Sequence, residues 1–166
     1  SPFYKYCLPI VSHDVDENER CEIYSEWFKN LFKNEKEITI IDQYIFNGNG
    51  YPSLKKWYLP IIDEKSNIKI YTNLNSNKIN AEELLNNNAG RNIDIYNCKK
   101  MHDRWILADD FSMNIGRGLD FMLENGQTQK TSFTVNEGKN ISTIPENAEE
   151  FIPESTICEY VSDEER

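Results

Sequence analysis

The sequence is poor in several things at once. It has two histidines, His13 and His102, and four cysteines, Cys7, Cys21, Cys98 and Cys158. No two cysteines stand in a Cys-x-x-Cys spacing, and His13 has acidic neighbours but no second histidine near it. No zinc or other metal site is therefore expected, and His13 reads as a loop histidine. No motif asks for a cofactor. No apolar run approaches the roughly 20 residues of a membrane-spanning helix, and no signal peptide is visible. A cytoplasmic, reducing setting is the simplest expectation. Basic residues are also scarce. Lys and Arg number 18 against 28 Asp and Glu, for a net charge of −10 and a pI near 4.7. That excludes a broad basic face for nucleic acid and makes bulk attraction to an anionic membrane weak. There is no internal repeat.

What is present suits one packed domain. The chain has 166 residues, 39% hydrophobic and 12% aromatic, enough for a proper core. The acidity is uneven, because residues 145–166 carry eight acidic side chains and one basic one. The expected organisation is a single domain over residues 1–145 and a solvated acidic tail over 146–166. A local basic pocket remains compatible with the overall charge. The abrupt Ser1-Pro2 start reads as a cut within a longer protein, so a missing upstream domain is expected.

Periodicity then assigns elements. Residues 1–11 form an apolar extended segment docked on the core. Residues 16–32 have apolar side chains at Cys21, Tyr24, Trp27, Phe28, Leu31 and Phe32, the spacing of an amphipathic helix. Residues 38–46 read as a buried strand, and 47–50 (Asn-Gly-Asn-Gly) as a turn. A helix is expected over 53–62 despite Pro60, strands over 68–72 and 93–96, and a helix over 78–88 ended by Ala89-Gly90. Residues 104–108 and 112–115 form a hairpin-like pair around Asp109-Asp110. Residues 119–124 begin a short helix or loop, and 132–135 a short strand. The alternation of strand and helix argues for parallel pairing through right-handed crossovers.

One stretch, residues 101–123, organises the rest. It reads MHDRWILADDFSMNIGRGLDFML and contains His102, then Arg104, then Asp109, the spacing His-x-Arg-x4-Asp. After six intervening residues come Gly116, Arg117, Gly118, Leu119 and Asp120. If residues 104–108 form a strand, side chains alternate between its faces, and His102, Arg104 and Ile106 then share one. An imidazole and a guanidinium side by side suit a phosphate oxyanion. The glycines would let a second backbone segment approach the same anion, its amides completing a cradle. Asp42 and Tyr44, at the end of the first strand, could lie beside them.

The stretch resembles the phospholipase D superfamily signature, His-x-Lys-x4-Asp followed by a glycine-rich pair. His102, Asp109 and Gly116 fall on matching positions. Arg104 stands where the family usually has Lys, Arg117 where it often has Ser, and Leu119 where active members often have Asn. The run His102-Asp103-Arg104, with residues 116–120, is more similar to one branch. That branch is the phospholipase-D-like domain at the C-terminus of some proteins carrying a microtubule-interacting-and-trafficking domain, and its bacterial relatives. The likeness extends back to residues 38–45 and covers roughly residues 20–135. It implies an α/β sandwich with a mixed, mostly parallel sheet flanked by helices.

In active members, one His attacks phosphorus, a second protonates the leaving oxygen, Lys holds the equatorial oxygens and Asp tunes a His. No metal takes part. By resemblance the catalytic set here would be His102, Arg104 and Asp109. The ligand-binding set would be Asp42, Tyr44, Gly116, Arg117, Gly118 and Asp120. One motif is half of such a site, so activity would need a homodimer or a second domain. Arg for Lys can keep phosphate binding while altering geometry at phosphorus. Three readings stay open. The first is a degenerate phosphate- or phosphoinositide-binding and dimerisation module, peripherally membrane-associated. The second is a dimeric metal-independent phosphodiesterase or nuclease, as in bacterial defence. The third is a scaffold that has lost the site. The ligand would be a phospholipid headgroup or a nucleotide.

Overall fold

The carboxylate of Asp16 accepts a hydrogen bond from the amide of Glu19 at 2.9 Å and so caps helix α1, Glu17–Phe32. The structure is a computed structural model; it describes residues 5–75 and 77–154. Within that range α1 buries Cys21, Trp27, Phe28, Leu31 and Phe32, the stripe its periodicity requires. Phe28 is fully buried and sits among rings of Phe32, Tyr58 and Phe121, with centroids at 5.8, 5.3 and 6.1 Å. Of the apolar segment expected over residues 1–11, Tyr6 packs on this core, whereas Ile10 is fully exposed. Residues 1–4 lie outside the described range.

Strand β1, Glu37–Ile41, pairs in parallel with β2, Asn67–Thr72, which pairs in parallel with β3, Ile93–Asn97. The register aligns Ile40 with Ile70 and Ile70 with Ile95, all buried. The strand–helix–strand reading of this half is correct. On the other side of β1 the pairing reverses. β4, Trp105–Leu107, is antiparallel to β1, followed by antiparallel β5, Phe111–Ile115, and β6, Phe133–Glu137. A two-residue strand β7, Glu149–Glu150, closes the β3 edge, again antiparallel. The sheet order is β6-β5-β4-β1-β2-β3-β7. The expected mostly parallel sheet is thus corrected: among the described residues two pairings are parallel and four antiparallel. The cause is local. No crossover helix lies between β3 and β4, and β4 and β5 join through the tight Asp109-Asp110 turn.

The first strand is shorter than expected. Asp42 ends it, because its carboxylate accepts from the Tyr44 amide at 2.9 Å and turns the chain. Ile45 and Phe46 remain buried, but in the turn and not in the sheet. Helix α2, Gly50–Ser53, then runs into a π turn, Leu54–Tyr58, and a 3₁₀ turn, Leu59–Ile61. Pro60 cannot continue regular helix. At Gly50 a Cβ would stand 2.8 Å from the carbonyl oxygens of Tyr44 and Ile45, so only glycine fits this tight entry. This irregular helix clamps the segment that carries Asp120. The Tyr58 hydroxyl donates to the carbonyl of Leu119 at 3.0 Å and Ser53 to Met122 at 2.6 Å. The Trp57 indole donates to Leu123 at 2.8 Å and Lys56 to Glu124 at 2.6 Å. Helix α3, Lys78–Asn87, buries Ala81 and Leu84.

All three helices join one apolar cluster with Ile38, Ile40, Ile68, Ile70, Ile95, Ile106 and Met113. They therefore cover one face of the sheet and do not flank both. The opposite face has a small cluster of Ile41, Cys98, Met101 and Leu107, against which Tyr71, Trp105, Ile144 and Ala148 pack. Residues 138–148 cross this face from β6 to β7. They are held by the Asn140 amide donating to Ser112 Oγ at 2.7 Å and by Lys139 pairing with Glu37 at 2.9 Å. The expected acidic tail over 146–166 thus begins inside the sheet, through β7; from residue 155 it lies outside the described range, as does Cys158. No described helix is long and apolar enough to cross a membrane.

Candidate functional site

The end of β1, the start of β4 and the turn after β5 meet at one edge of the sheet. Antiparallel pairing forces this, since Ile41 opposes Trp105 and Trp105 opposes Asn114. Asp42 and Arg104 follow and precede those residues, so they become neighbours, with Arg104 Nε 3.7 Å from Asp42 Oδ1. Nη1 of Arg104 donates to two main-chain carbonyls, Gly116 at 3.1 Å and Arg117 at 2.6 Å. The guanidinium also lies 5.6 Å from the centroid of the Tyr44 ring. Gly118 has φ +87°, and a Cβ there would run into Asp42 Oδ2 and come within 2.8 Å of Arg104 Cδ. Glycine is required for the backbone to pass this close.

Asp42 is 5% exposed. Burial pushes its carboxyl above the ordinary range, with Asp120 adding to the rise, against the pull of the Tyr44 and Leu119 amides and of Arg104. Arg117 is the more open arginine, its side chain 45% exposed, with Nε 3.7 Å from Asp120 Oδ1. Asp42, Tyr44, Arg104, Arg117 and Asp120 line one cleft of about 280 Å³, together with the turn Asn47, Gly48, Asn49 and Gly50.

Seven of the nine expected site residues come together here: Asp42, Tyr44, Arg104, Gly116, Arg117, Gly118 and Asp120. Two do not. His102 lines a separate cleft of about 570 Å³ with Lys100, Trp105, Ser142 and Thr143. The shared face of His102 and Arg104 fails because β4 begins only at Trp105, so strand alternation does not reach back to residue 102. Asp109 sits past the far end of β4. Five steps of extended chain separate it from Arg104, roughly 16 Å. It lies 4.0 Å from Lys139, near Glu35 and Asp110, where it cannot orient His102.

The expected amide cradle is also corrected. The Gly116 amide donates to the Ser132 carbonyl at 2.9 Å and the Gly118 amide to Ile115 at 3.1 Å. The Arg117 amide donates to Thr131 Oγ1 at 3.0 Å. These donors are spent on the turn. The lining turn 47–50 was legible as a turn but carried no signal of its place at the cleft. Among the described residues no group of His, Cys, Asp and Glu side chains could hold a metal ion.

No family model matches the chain, and no curated protein sequence matches it. Among solved structures it is similar to TrmBL2, an archaeal chromatin protein described as showing a novel mode of DNA binding. Identity is 12% and the TM-score 0.40, over 78% of this chain and 48% of that one. The chain thus spans about half the length of that protein, and a likeness of this size carries no argument.

Proposed function

We propose that this chain is a phospholipase-D-like domain that recognises a phosphate-bearing ligand without turning it over. The observation that supports the reading is the convergence of Asp42, Tyr44, Arg104, Arg117 and Asp120, distant in sequence, on one cleft from which His102 is absent. Phosphoryl transfer through histidine needs the nucleophile and the charge-stabilising cation at one phosphorus. Here the cation is tied to two carbonyls and a carboxylate, and the histidine opens on another cleft. Arg117 remains as the cation presented to a ligand. The net charge of −10 makes recognition local, at a headgroup or a small molecule, with peripheral membrane contact as its outcome in the first case. The module self-associates as a homodimer, as the half-motif implies.

The test combines turnover with assembly. The wild type and His102→Ala, both with EDTA, are assayed against a chromogenic phosphodiester, and the wild type is examined by sedimentation at high concentration. We expect no turnover and a dimer of low to moderate affinity. EDTA-resistant hydrolysis lost in His102→Ala would establish the dimeric phosphodiesterase instead. A strict monomer would remove the dimerisation role.

A further inference from the structure

We propose that the Arg117 cleft takes a polyol carrying a single phosphate, the chemistry of a sugar phosphate or an inositol monophosphate. This rests on the phosphate-recognition reading and names its ligand class.

The groups already committed within the cleft decide which cation meets a ligand. Arg104 lines the cleft but spends Nη1 on the carbonyls of Gly116 and Arg117 and faces the buried Asp42 through Nε. Of the described cations lining the cleft, that leaves Arg117, whose side chain is 45% exposed; its Nε faces Asp120 at 3.7 Å, so its Nη edge is the one offered to a ligand. One guanidinium suits one phosphate, held bidentately. A second phosphate would meet Asp42 at the floor and Asp120 at the rim, two carboxylates that repel it. The same carboxylate on the rim, with the Asn49 amide, is what hydroxyl groups need as acceptor and donor.

A ring platform stands beside them. Tyr44 is 51% exposed, with the Arg104 guanidinium 5.6 Å from its ring centroid. Its exposed side offers the apolar face of a saturated ring a surface to lie on. The cleft volume of about 280 Å³ falls just below the usual range for ligand sites, roughly 300–1,000 Å³. One ring with one phosphate suits it; an extended polyanion does not.

The experiment is calorimetric titration of the wild type with inorganic phosphate, glucose 6-phosphate, inositol 1-phosphate and inositol trisphosphate. Flotation with phosphatidylinositol vesicles and with phosphatidylcholine vesicles runs in parallel. We expect each monophosphate to bind about tenfold tighter than inorganic phosphate, and the trisphosphate no tighter than the monophosphates. Tyr44→Ala and Asp120→Asn should bring the monophosphates down to the level of inorganic phosphate, and Arg117→Gln should remove all binding, with circular dichroism confirming each fold. Vesicle binding specific to phosphatidylinositol identifies a lipid headgroup as the source; titration without flotation identifies a free polyol phosphate. Both support the assignment. A trisphosphate tenfold tighter than the monophosphate would overturn it and leave the phosphate reading standing. Absence of binding by inorganic phosphate and by every polyol phosphate would overturn both.

Discussion

Nη1 of Arg104 donates to the main-chain carbonyl of Arg117 at 2.6 Å, so one motif arginine holds the backbone that presents the other. The role is structural first. Arg104→Ala should leave Asp42 buried beside no cation and free the turn at 116–118. A loss of about 2 kcal/mol is expected for the charge-assisted bonds, read as a lowered urea midpoint at unchanged slope. Arg104→Lys should recover little of it, because an ammonium on a flexible stem cannot reproduce the fork to two carbonyls. If Arg104→Ala unfolds at the wild-type midpoint, the clamp is wrong and Arg104 serves only the ligand.

Gly118 gives a second, independent probe of the same packing. Its φ of +87° is strained for any L side chain, and an added Cβ would collide with Asp42 and Arg104. Gly118→Ala should cost about 2–3 kcal/mol by thermal or urea unfolding. Gly90→Ala is the control, since nothing lies within 4 Å of a Cβ there and its backbone is not left-handed. It should change stability by less than about 1 kcal/mol. Equal effects at the two positions would contradict the close approach at Gly118.

The elements that could be read from the chain were those whose side chains announce them. The stripe of α1 and the apolar runs of β2 and β3 follow from burial on one face, and each lies within a residue or two of its expected bounds. Two elements carry no such mark. β7 is Glu149–Glu150, joined to the sheet by backbone alone. The end of β1 depends on one carboxylate turning back to an amide at Tyr44, inside a run that stays apolar to Phe46. The site divides the same way. Motif spacing brought out Arg104, Arg117 and Gly118, because charge and glycine are visible in sequence. It could not say that β4 starts at Trp105, and that single boundary sends His102 to a different cleft. Nor could it show that β4 would carry Asp109 to the opposite edge.

At that opposite edge Glu35 supplies a prediction about pH. Its side chain is 2% exposed, 3.8 Å from Lys5. Burial pushes its carboxyl from 4.5 up to about 7, helped by a hydrogen bond with the Asp110 carboxylate and by the charge of Asp110, and opposed by Lys5. A carboxyl whose folded value is raised binds its proton more tightly in the folded state. Its contribution is therefore fully present below the unfolded value near 4.5 and is lost as pH rises through about 7. The ceiling for such a shift is about 3 kcal/mol, and about 2 kcal/mol is a fair expectation after solvent screening. Glu35→Gln keeps a donor for Asp110 and has no proton to lose. It should match the wild type at pH 4.5 and exceed it by about 2 kcal/mol at pH 8, measured as urea midpoints across that range. Glu37 works in the other direction, its carboxyl lowered chiefly by the hydrogen bond from Lys139, but it is common to both proteins and cancels in the difference. If the two midpoints fall in parallel with pH, Glu35 is ionised throughout and the shared proton with Asp110 does not exist.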